Sequence, residues 1–109
     1  MMRRVDVIYR DEARRDLEQI YDAIFEISQS HDVAEGFVER VRARCEKIGD
    51  APLGGRRRDD LRPCLRSVPF EKSPLILYRV AEAVEIVNIF LRGRNYEALF
   101  HDPGYPASR

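Results

Sequence analysis

The sequence has no long apolar run and no hydrophobic stretch behind its basic first residues. Its uninterrupted apolar segments are a few residues long, far short of the roughly twenty residues that a membrane-spanning helix needs. A secretory signal would require an apolar core after the N-terminal arginines, and "MMRRVDVIYRDEARRD" contains none. We therefore predict that the chain has no membrane segment and is cytoplasmic.

Cysteine and histidine are scarce, which leaves little for disulfide or metal chemistry. Cys45 and Cys64 form no CxxC pair, and His31 and His101 show no zinc-ligand spacing. The chain also lacks the GxxxxGK[ST] motif of phosphate-binding loops. We predict no metal site, no cofactor and two unpaired thiols.

Lysine is nearly absent, and arginine supplies all of the nineteen basic side chains except Lys47 and Lys72. The formal net charge is zero because an acidic middle offsets more basic ends. Residues 11–50 carry a net charge of −5, whereas residues 51–109 carry +3. A nucleic-acid-binding domain is more often basic overall, so direct DNA binding is not expected.

The densest basic run is Arg56–Arg58, and it is followed directly by Asp59 and Asp60. Three arginines could contact phosphates, each adding about 0.9 to the salt dependence of binding. The two aspartates can neutralise the same arginines, and no aromatic residues are interleaved for base stacking. We interpret the run as a solvent-facing part of a connector, which Arg62 and Arg66 tie to the sheet.

Two amphipathic helices are predicted after a first strand in "RRVDVIY". The first helix starts at Asp11. The second shows a capping-box pattern, Asp32 with Glu35, and stops near Gly49 and Pro52. Their apolar stripes comprise Ala13, Leu17, Ile20, Tyr21, Ile24, Phe25 and Ile27 in the first helix and Ala34, Phe37, Val38, Val41, Cys45 and Ile48 in the second. Neither helix can bury its stripe alone, so we predict a helical hairpin packed on a sheet.

Three segments rich in β-branched and aromatic residues are predicted as strands: "CLRSVPF", "PLILYRV" and "AVEIVNIFL". Ala81–Ala83 is short enough for a hairpin, so these strands should be antiparallel, with "PLILYRV" central and Pro69 at an edge. A short closing helix is expected from Asn95. The predicted fold is an α+β domain of order β-α-α-β-β-β with a short C-terminal helix over residues 1–101, followed by a flexible tail, residues 102–109.

A nuclease site would draw on arginines at the strand ends. Those on or just after the predicted strands, which could converge on one face, are Arg66, Arg79, Arg92 and Arg94. Arginine can stabilise a phosphorane, but with a pKa above about 12 it cannot accept a proton near neutrality. The groups that could supply a base are Tyr78, Tyr96, Lys72, Glu71 and His101. The alternative is that the arginines are solvated and Tyr78 belongs to the core.

The chain resembles the ParE toxins of the ParE/RelE superfamily over nearly its whole length. The segments that carry the resemblance are "YRDEARRDLEQIYDAI", "AEGFVERVRARCEKIGDAPLGGRRRDDLRPCLRSVPF" and "LILYRVAEAVEIVNIFLRGRNYEALF". The resemblance implies a bacterial type II toxin that inhibits DNA gyrase by binding and has no catalytic residues of its own. It also implies a ParD-like antitoxin that neutralises the toxin and carries the contact with operator DNA.

The resemblance also suggests site residues. Residues expected to act on the target are Arg92, Arg94 and Tyr96, at the end of the last strand. An amphipathic antitoxin helix is expected on the helical hairpin, at Leu17, Tyr21, Ile24, Phe37 and Val41, with an extended segment near the sheet edge. Leu91 and Asn95 stand where many ParE relatives have histidine and aspartate.

RelE-type relatives, which cut mRNA on the ribosome, provide the alternative function. In that interpretation Arg66, Arg79 and Arg94 would be catalytic, with Tyr96 as proton carrier. Phe100 occupies the place of the usual closing-helix tyrosine, and a phenyl ring has no proton to exchange. A third interpretation is an inactive homologue that retains only antitoxin binding.

Overall fold

The computed structural model describes residues 4–71 and 73–91 and contains seven elements in this part of the chain. These are β1 (Val7–Tyr9), α1 (Asp11–Ser28), α2 (His31–Ile48), β2 (Arg56–Arg57), β3 (Arg66–Phe70), β4 (Ser73–Val80) and β5 (Val84–Phe90). The predicted α+β fold, with a helical hairpin packed on a sheet, is confirmed. The closing helix and the tail lie outside the described residues, as do Arg92, Arg94 and Tyr96.

The sheet has five strands in the order β1-β5-β4-β3-β2. β4 pairs antiparallel with β3 and β5, so the predicted central strand and its Ala81–Ala83 hairpin are confirmed. The sheet is nevertheless mixed, because β1 pairs parallel with β5. The chain between β1 and β5 contains both helices and three strands, which is long enough for the two paired strands to run in the same direction.

The helical hairpin is closed by a turn of two residues, Gln29 and Ser30. Gln29 takes the left-handed conformation, and its N–H donates to the Phe25 carbonyl. The predicted capping box was wrong: the hydroxyl of Ser30 accepts from the Val33 N–H, so α2 begins before Asp32. Ser30 satisfies one of the free amides that every helix N-terminus leaves.

Two apolar clusters lie on opposite faces of the sheet. The larger cluster joins both helices to the sheet through buried residues that include Leu17, Val41, Ile76, Tyr78 and Ile86. The smaller one lies on the other face and consists of Leu61, Leu65, Leu77 and Phe90. Among the described residues, neither helix is long and apolar enough to cross a membrane.

At each of the two edges of the sheet, one residue limits pairing with a further strand. β5 extends past its three pairs with β1, and the Asp16 carboxylate accepts there from the Ile89 N–H at 2.9 Å. On the other side, Pro69 lies in β3 beyond its pairs with β2. Proline has no N–H to offer a new strand, which is why it suits such an edge.

Candidate functional site

The connector between α2 and β3, residues 51–65, is fastened to the sheet by the hydroxyl group of Tyr78. The hydroxyl accepts from the Gly55 N–H at 2.9 Å and donates to the Pro52 carbonyl at 2.8 Å. Tyr78 is 0% exposed, and burial raises its pKa, with the Gly55 amide acting in the opposite direction. Its hydroxyl therefore holds the connector in place and is not available as an exposed base.

Arg66 fastens the same connector a second time. Its Nη1 atom donates to the carbonyls of Gly55 at 2.9 Å and Leu53 at 3.1 Å. The prediction that Arg66 ties the connector to the sheet is confirmed. A guanidinium engaged in this way is a structural group.

Two arginines of the run Arg56–Arg58 are paired with the aspartates that follow the run. Arg57 forms an ion pair with Asp59 at 2.7 Å. Arg58 donates through Nε and Nη2 to the two carboxylate oxygens of Asp60, at 3.0 and 2.9 Å. The hydrogen bonds from Arg58 lower the pKa of the Asp60 carboxyl. This arrangement does not provide a free phosphate-binding surface.

The prediction that all three arginines face solvent was wrong for Arg58, which is 4% exposed. Arg56 and Arg57 are exposed, but they form the short edge strand β2, which pairs with Ser67 and Arg66. Two charged residues give no alternating apolar pattern, so the sequence carried no signal for this strand.

The arginines proposed for a nuclease site do not converge in the described part of the chain. Arg66 is directly opposite Tyr78 in the β3–β4 ladder, so the two share a face. Arg79 follows Tyr78 along β4 and therefore points to the other face. There it donates to Glu85 at 2.9 Å, with Arg10 at 3.8 Å from the same oxygen. The expected convergence of Arg66 and Arg79 was wrong, since the strand pleat separates them.

A solvent-open groove lies between α1 and α2, with a volume of about 490 Å³. It is lined by Arg14, Leu17, Glu18, Tyr21, Asp22, Val38 and Arg42. Leu17, Tyr21 and Val38 supply apolar surface, and the four charged side chains are exposed. This arrangement has the character of a docking groove for a polypeptide.

Three stacked rings stand at the end of the hairpin next to its turn. The rings of Phe25 and His31 are 4.4 Å apart and nearly parallel, and Tyr21 stacks on Phe25 at 6.5 Å. The Tyr21 hydroxyl shares a hydrogen bond with His31 Nδ1. Tyr21 also lines the groove, so its contacts with Phe25 and His31 hold one of the groove's side chains.

Comparison with known proteins identifies the family. The family model of the ParE toxin of type II toxin-antitoxin systems, parDE, matches residues 7–96. The chain belongs to the ParE toxin family. A solved chain of the chromosomal ParDE TA system from P. aeruginosa is similar in structure, with a TM-score of 0.69 over 80% of this chain and 95% of that one. Its identity to this ParE chain is 19%, which shows a common fold. A search of curated proteins finds no match.

The residues of this ParE chain predicted to bind an antitoxin differ in accessibility. Leu17 is 3% exposed and Val41 0% exposed, so both belong to the core beneath the helices. Tyr21, Ile24 and Phe37 are partly exposed. Phe37 packs edge-on against the ring of Phe70, and Arg40 lies over it at 5.3 Å. The accessible members lie on α1 and α2, with Tyr21 in the groove.

Sequence reasoning missed the charged rim of the groove. Arg14, Glu18 and Asp22 lie outside the apolar stripe of α1, where charged residues are usually only solvated. Their spacing of four residues puts them in one row, and that row runs beside Leu17 and Tyr21. This row was the available signal, but its meaning depended on how α2 packs alongside.

Proposed function

We propose that this ParE-type chain is a toxin that arrests growth by binding DNA gyrase and performs no chemical step itself. A ParD-like antitoxin neutralises it and provides the contact with operator DNA. Both proteins act in the cytoplasm, where gyrase and the operator are found. The family match over residues 7–96 supports the toxin identity.

One observation favours binding over mRNA cleavage: Arg66 and Arg79 are committed to structural contacts on opposite faces of the sheet. A cleavage site would need cations gathered around one phosphate, together with a base within hydrogen-bond reach of the ribose hydroxyl. Tyr78, the aromatic residue beside Arg66 in the ladder, has its hydroxyl bonded to the connector. These contacts support a function that needs a surface and no reacting group.

The test is induction of the toxin without its antitoxin, followed by three measurements in one culture. We expect DNA-damage signalling, inhibition of supercoiling by purified gyrase, and unchanged transcript ends on translating ribosomes. Codon-phased mRNA cuts without gyrase inhibition would establish the RelE-like alternative. Normal growth with abundant folded protein would leave an inactive homologue that only binds antitoxin.

Variants can assign the target surface within this experiment. Arg92→Ala and Arg94→Ala, and likewise Tyr96→Phe, should each lower gyrase inhibition while antitoxin binding persists. Arg56→Ala is a matched control, because Arg56 is exposed and makes no ion pair with residues 4–71 or 73–91. An equal loss with Arg56→Ala would refute the assignment to the end of the last strand.

The antitoxin contact is proposed on the helical hairpin. Tyr21, Ile24 and Phe37 would meet an amphipathic helix of the antitoxin, and the buried Leu17 and Val41 would support them from below. Hydrogen exchange with the cognate antitoxin should protect the amides of α1 and α2. Protection confined to other regions would contradict this placement.

A further inference from the structure

The first helix passes the end of the sheet before it reaches the hairpin turn. At the start of α1, the N–H of Arg10 donates to the Ile86 carbonyl, and further along the helix Asp16 accepts from the Ile89 N–H. α1 therefore runs in the same direction as β5, which ends one residue after Ile89. From Asp16 to its last residue, Ser28, the helix rises roughly a further 18 Å.

The second helix meets the sheet again at the same end. Phe37 of α2 packs edge-on against Phe70, the last residue of β3. This end of β3 is level with the end of β5, because both strands pair there with the beginning of β4. The part of the hairpin around its turn, residues 22–35, thus extends past the described sheet, and we call it the hairpin end.

The hairpin end presents apolar and acidic side chains together. Ile27 is 83% exposed and Val33 is 52% exposed, on either side of the two-residue turn. The segment contains no lysine or arginine, and its acidic residues are Asp22, Glu26, Asp32 and Glu35. All four are exposed and form no ion pair with any described residue. This surface is therefore an apolar patch set among uncompensated negative charges.

We propose that the hairpin end docks on the surface of gyrase that binds DNA, with Ile27 and Val33 as apolar anchors. A DNA-binding surface carries lysine and arginine side chains that neutralise phosphates, so its charge is complementary to the carboxylates around these anchors. Toxin and DNA then exclude each other from the same surface of the enzyme. This inference rests on the proposed function, in which gyrase is the target, and it names the surface that the toxin covers.

The two kinds of side chain have different parts in this contact. Exposed apolar anchors inside a polar rim are the usual source of affinity in a protein interface. The surrounding charges set the rate of association and the choice of partner, and their effect weakens with salt. The hairpin end also lies at the end of the sheet where β5 stops, and β5 is the strand that precedes Arg92 in the sequence.

The first test measures binding of the unmodified toxin to the purified gyrase holoenzyme, with and without a saturating linear DNA duplex. The duplex should weaken toxin binding about tenfold or more. In the reverse experiment, the toxin should release a fluorescent duplex from the enzyme. Equal toxin affinity with and without the duplex would overturn the inference and leave gyrase as the target.

The second test reverses charges in matched pairs. The double variant Glu26→Lys with Glu35→Lys should weaken gyrase binding about tenfold at low ionic strength, and less at high ionic strength. Asp6→Lys with Glu82→Lys is the control, since it changes the net charge equally at two exposed positions outside the hairpin. The control should change the affinity less than about threefold, and melting curves show whether both variants are folded.

The third test removes the apolar anchors. Ile27→Ala with Val33→Ala should weaken gyrase binding about tenfold at any ionic strength. Alanine is the best helix former, so both helices should remain intact. Leu53→Ala is the matched control, because Leu53 is 68% exposed and lies in the connector. It should change the affinity less than about twofold.

The outcomes separate this inference from the function on which it rests. If the unmodified toxin does not bind gyrase at all, the proposed function itself fails. If the hairpin variants bind gyrase as well as their controls do, the docking surface alone is wrong. Weakened binding of the antitoxin with unchanged binding of gyrase would make the antitoxin the occupant. A toxin oligomer that dissociates only in the double alanine variant would make a second toxin chain the occupant, and either result overturns the inference.

Discussion

The connector and the interhelical groove use charge in opposite ways. In the connector, Arg57 and Arg58 are each bonded to an aspartate two residues later. In the groove, Arg14 and Asp22 are exposed and form no ion pair with the described part of the chain. The segment that looks most cationic in the sequence is thus locally neutralised, and the scattered charges of the helices are the ones left for a partner.

Backbone geometry explains the difference. In the connector, β2 ends at Arg57, and Asp59 and Asp60 lie in the turn that follows, where Arg57 bonds to Asp59 and Arg58 to Asp60. In a helix, residues two apart do not face each other, and neighbours are three or four residues apart. A run of charge is therefore available to a partner only when its local structure does not bring in a countercharge.

The largest expected effect on stability comes from replacing one glycine by alanine in each region: Gly55 in the connector and Gly36 in α2. A Cβ at Gly55 would overlap the Tyr78 hydroxyl and lie 2.8 Å from its Cε1 atom, whereas one at Gly36 would meet nothing within 4 Å. Gly55→Ala should cost about 3 kcal/mol of unfolding free energy. Gly36→Ala should add about 0.5–1 kcal/mol, because glycine disfavours a helix interior.

Chemical denaturation of both variants measures the two changes in unfolding free energy, which should have opposite signs. Thermal melting should show Gly55→Ala lowered by roughly 10 °C or more. Equal stabilities for the two variants would mean that the connector is not fastened to Tyr78 as described.

A smaller effect should follow removal of one hydroxyl from each region. Tyr78→Phe leaves the buried Gly55 N–H and the Pro52 carbonyl without their partner, at a cost of about 2 kcal/mol. Tyr21→Phe removes a partly exposed hydroxyl whose partner His31 is exposed, at a cost of about 0.5 kcal/mol. Urea unfolding gives both values, and hydrogen exchange at Gly55 should accelerate only in Tyr78→Phe.

The helices and the three main strands were predictable because apolar periodicity is a local signal. The hairpin at Ala81–Ala83 and the central position of β4 are confirmed, and so are the helical stripes except for Ile27, which is 83% exposed. The parallel pairing of β1 with β5 was not predictable, since the chain between them carries no mark of strand direction. Asp16 as a cap for the Ile89 N–H joins residues 73 positions apart, beyond any sequence pattern.

The candidate site was predictable only in part, for the same reason. Tyr21, Ile24 and Phe37 were found from the helical stripes, but a stripe does not distinguish buried members such as Leu17 and Val41 from accessible ones. The groove needs the packing of two helices, which decides that Val38 and Arg42 lie opposite the α1 row. Likewise, Arg66 and Arg79 lie on opposite faces of the sheet because of the register between β3 and β4, which cannot be read from the sequence.

The smallest expected effect is on how the unfolding free energy depends on pH, to which Asp60 of the connector contributes. The pKa of Asp60 is lowered in the folded state by its hydrogen bonds with Arg58. The carboxylate thus adds stability above its unfolded pKa, about 4, and this contribution is lost as the pH falls through the lower folded pKa. Asp60→Asn should remove that part of the acid sensitivity.

Asp6→Asn serves as a control for the loss of one exposed charge, since Asp6 makes no ion pair within residues 4–71 and 73–91. Urea unfolding of all three proteins between neutral and acidic pH should give a shallower dependence for Asp60→Asn alone. Parallel curves for the three would mean that Arg58 and Asp60 do not act as a pair, and the contrast with the groove would lose its strongest element.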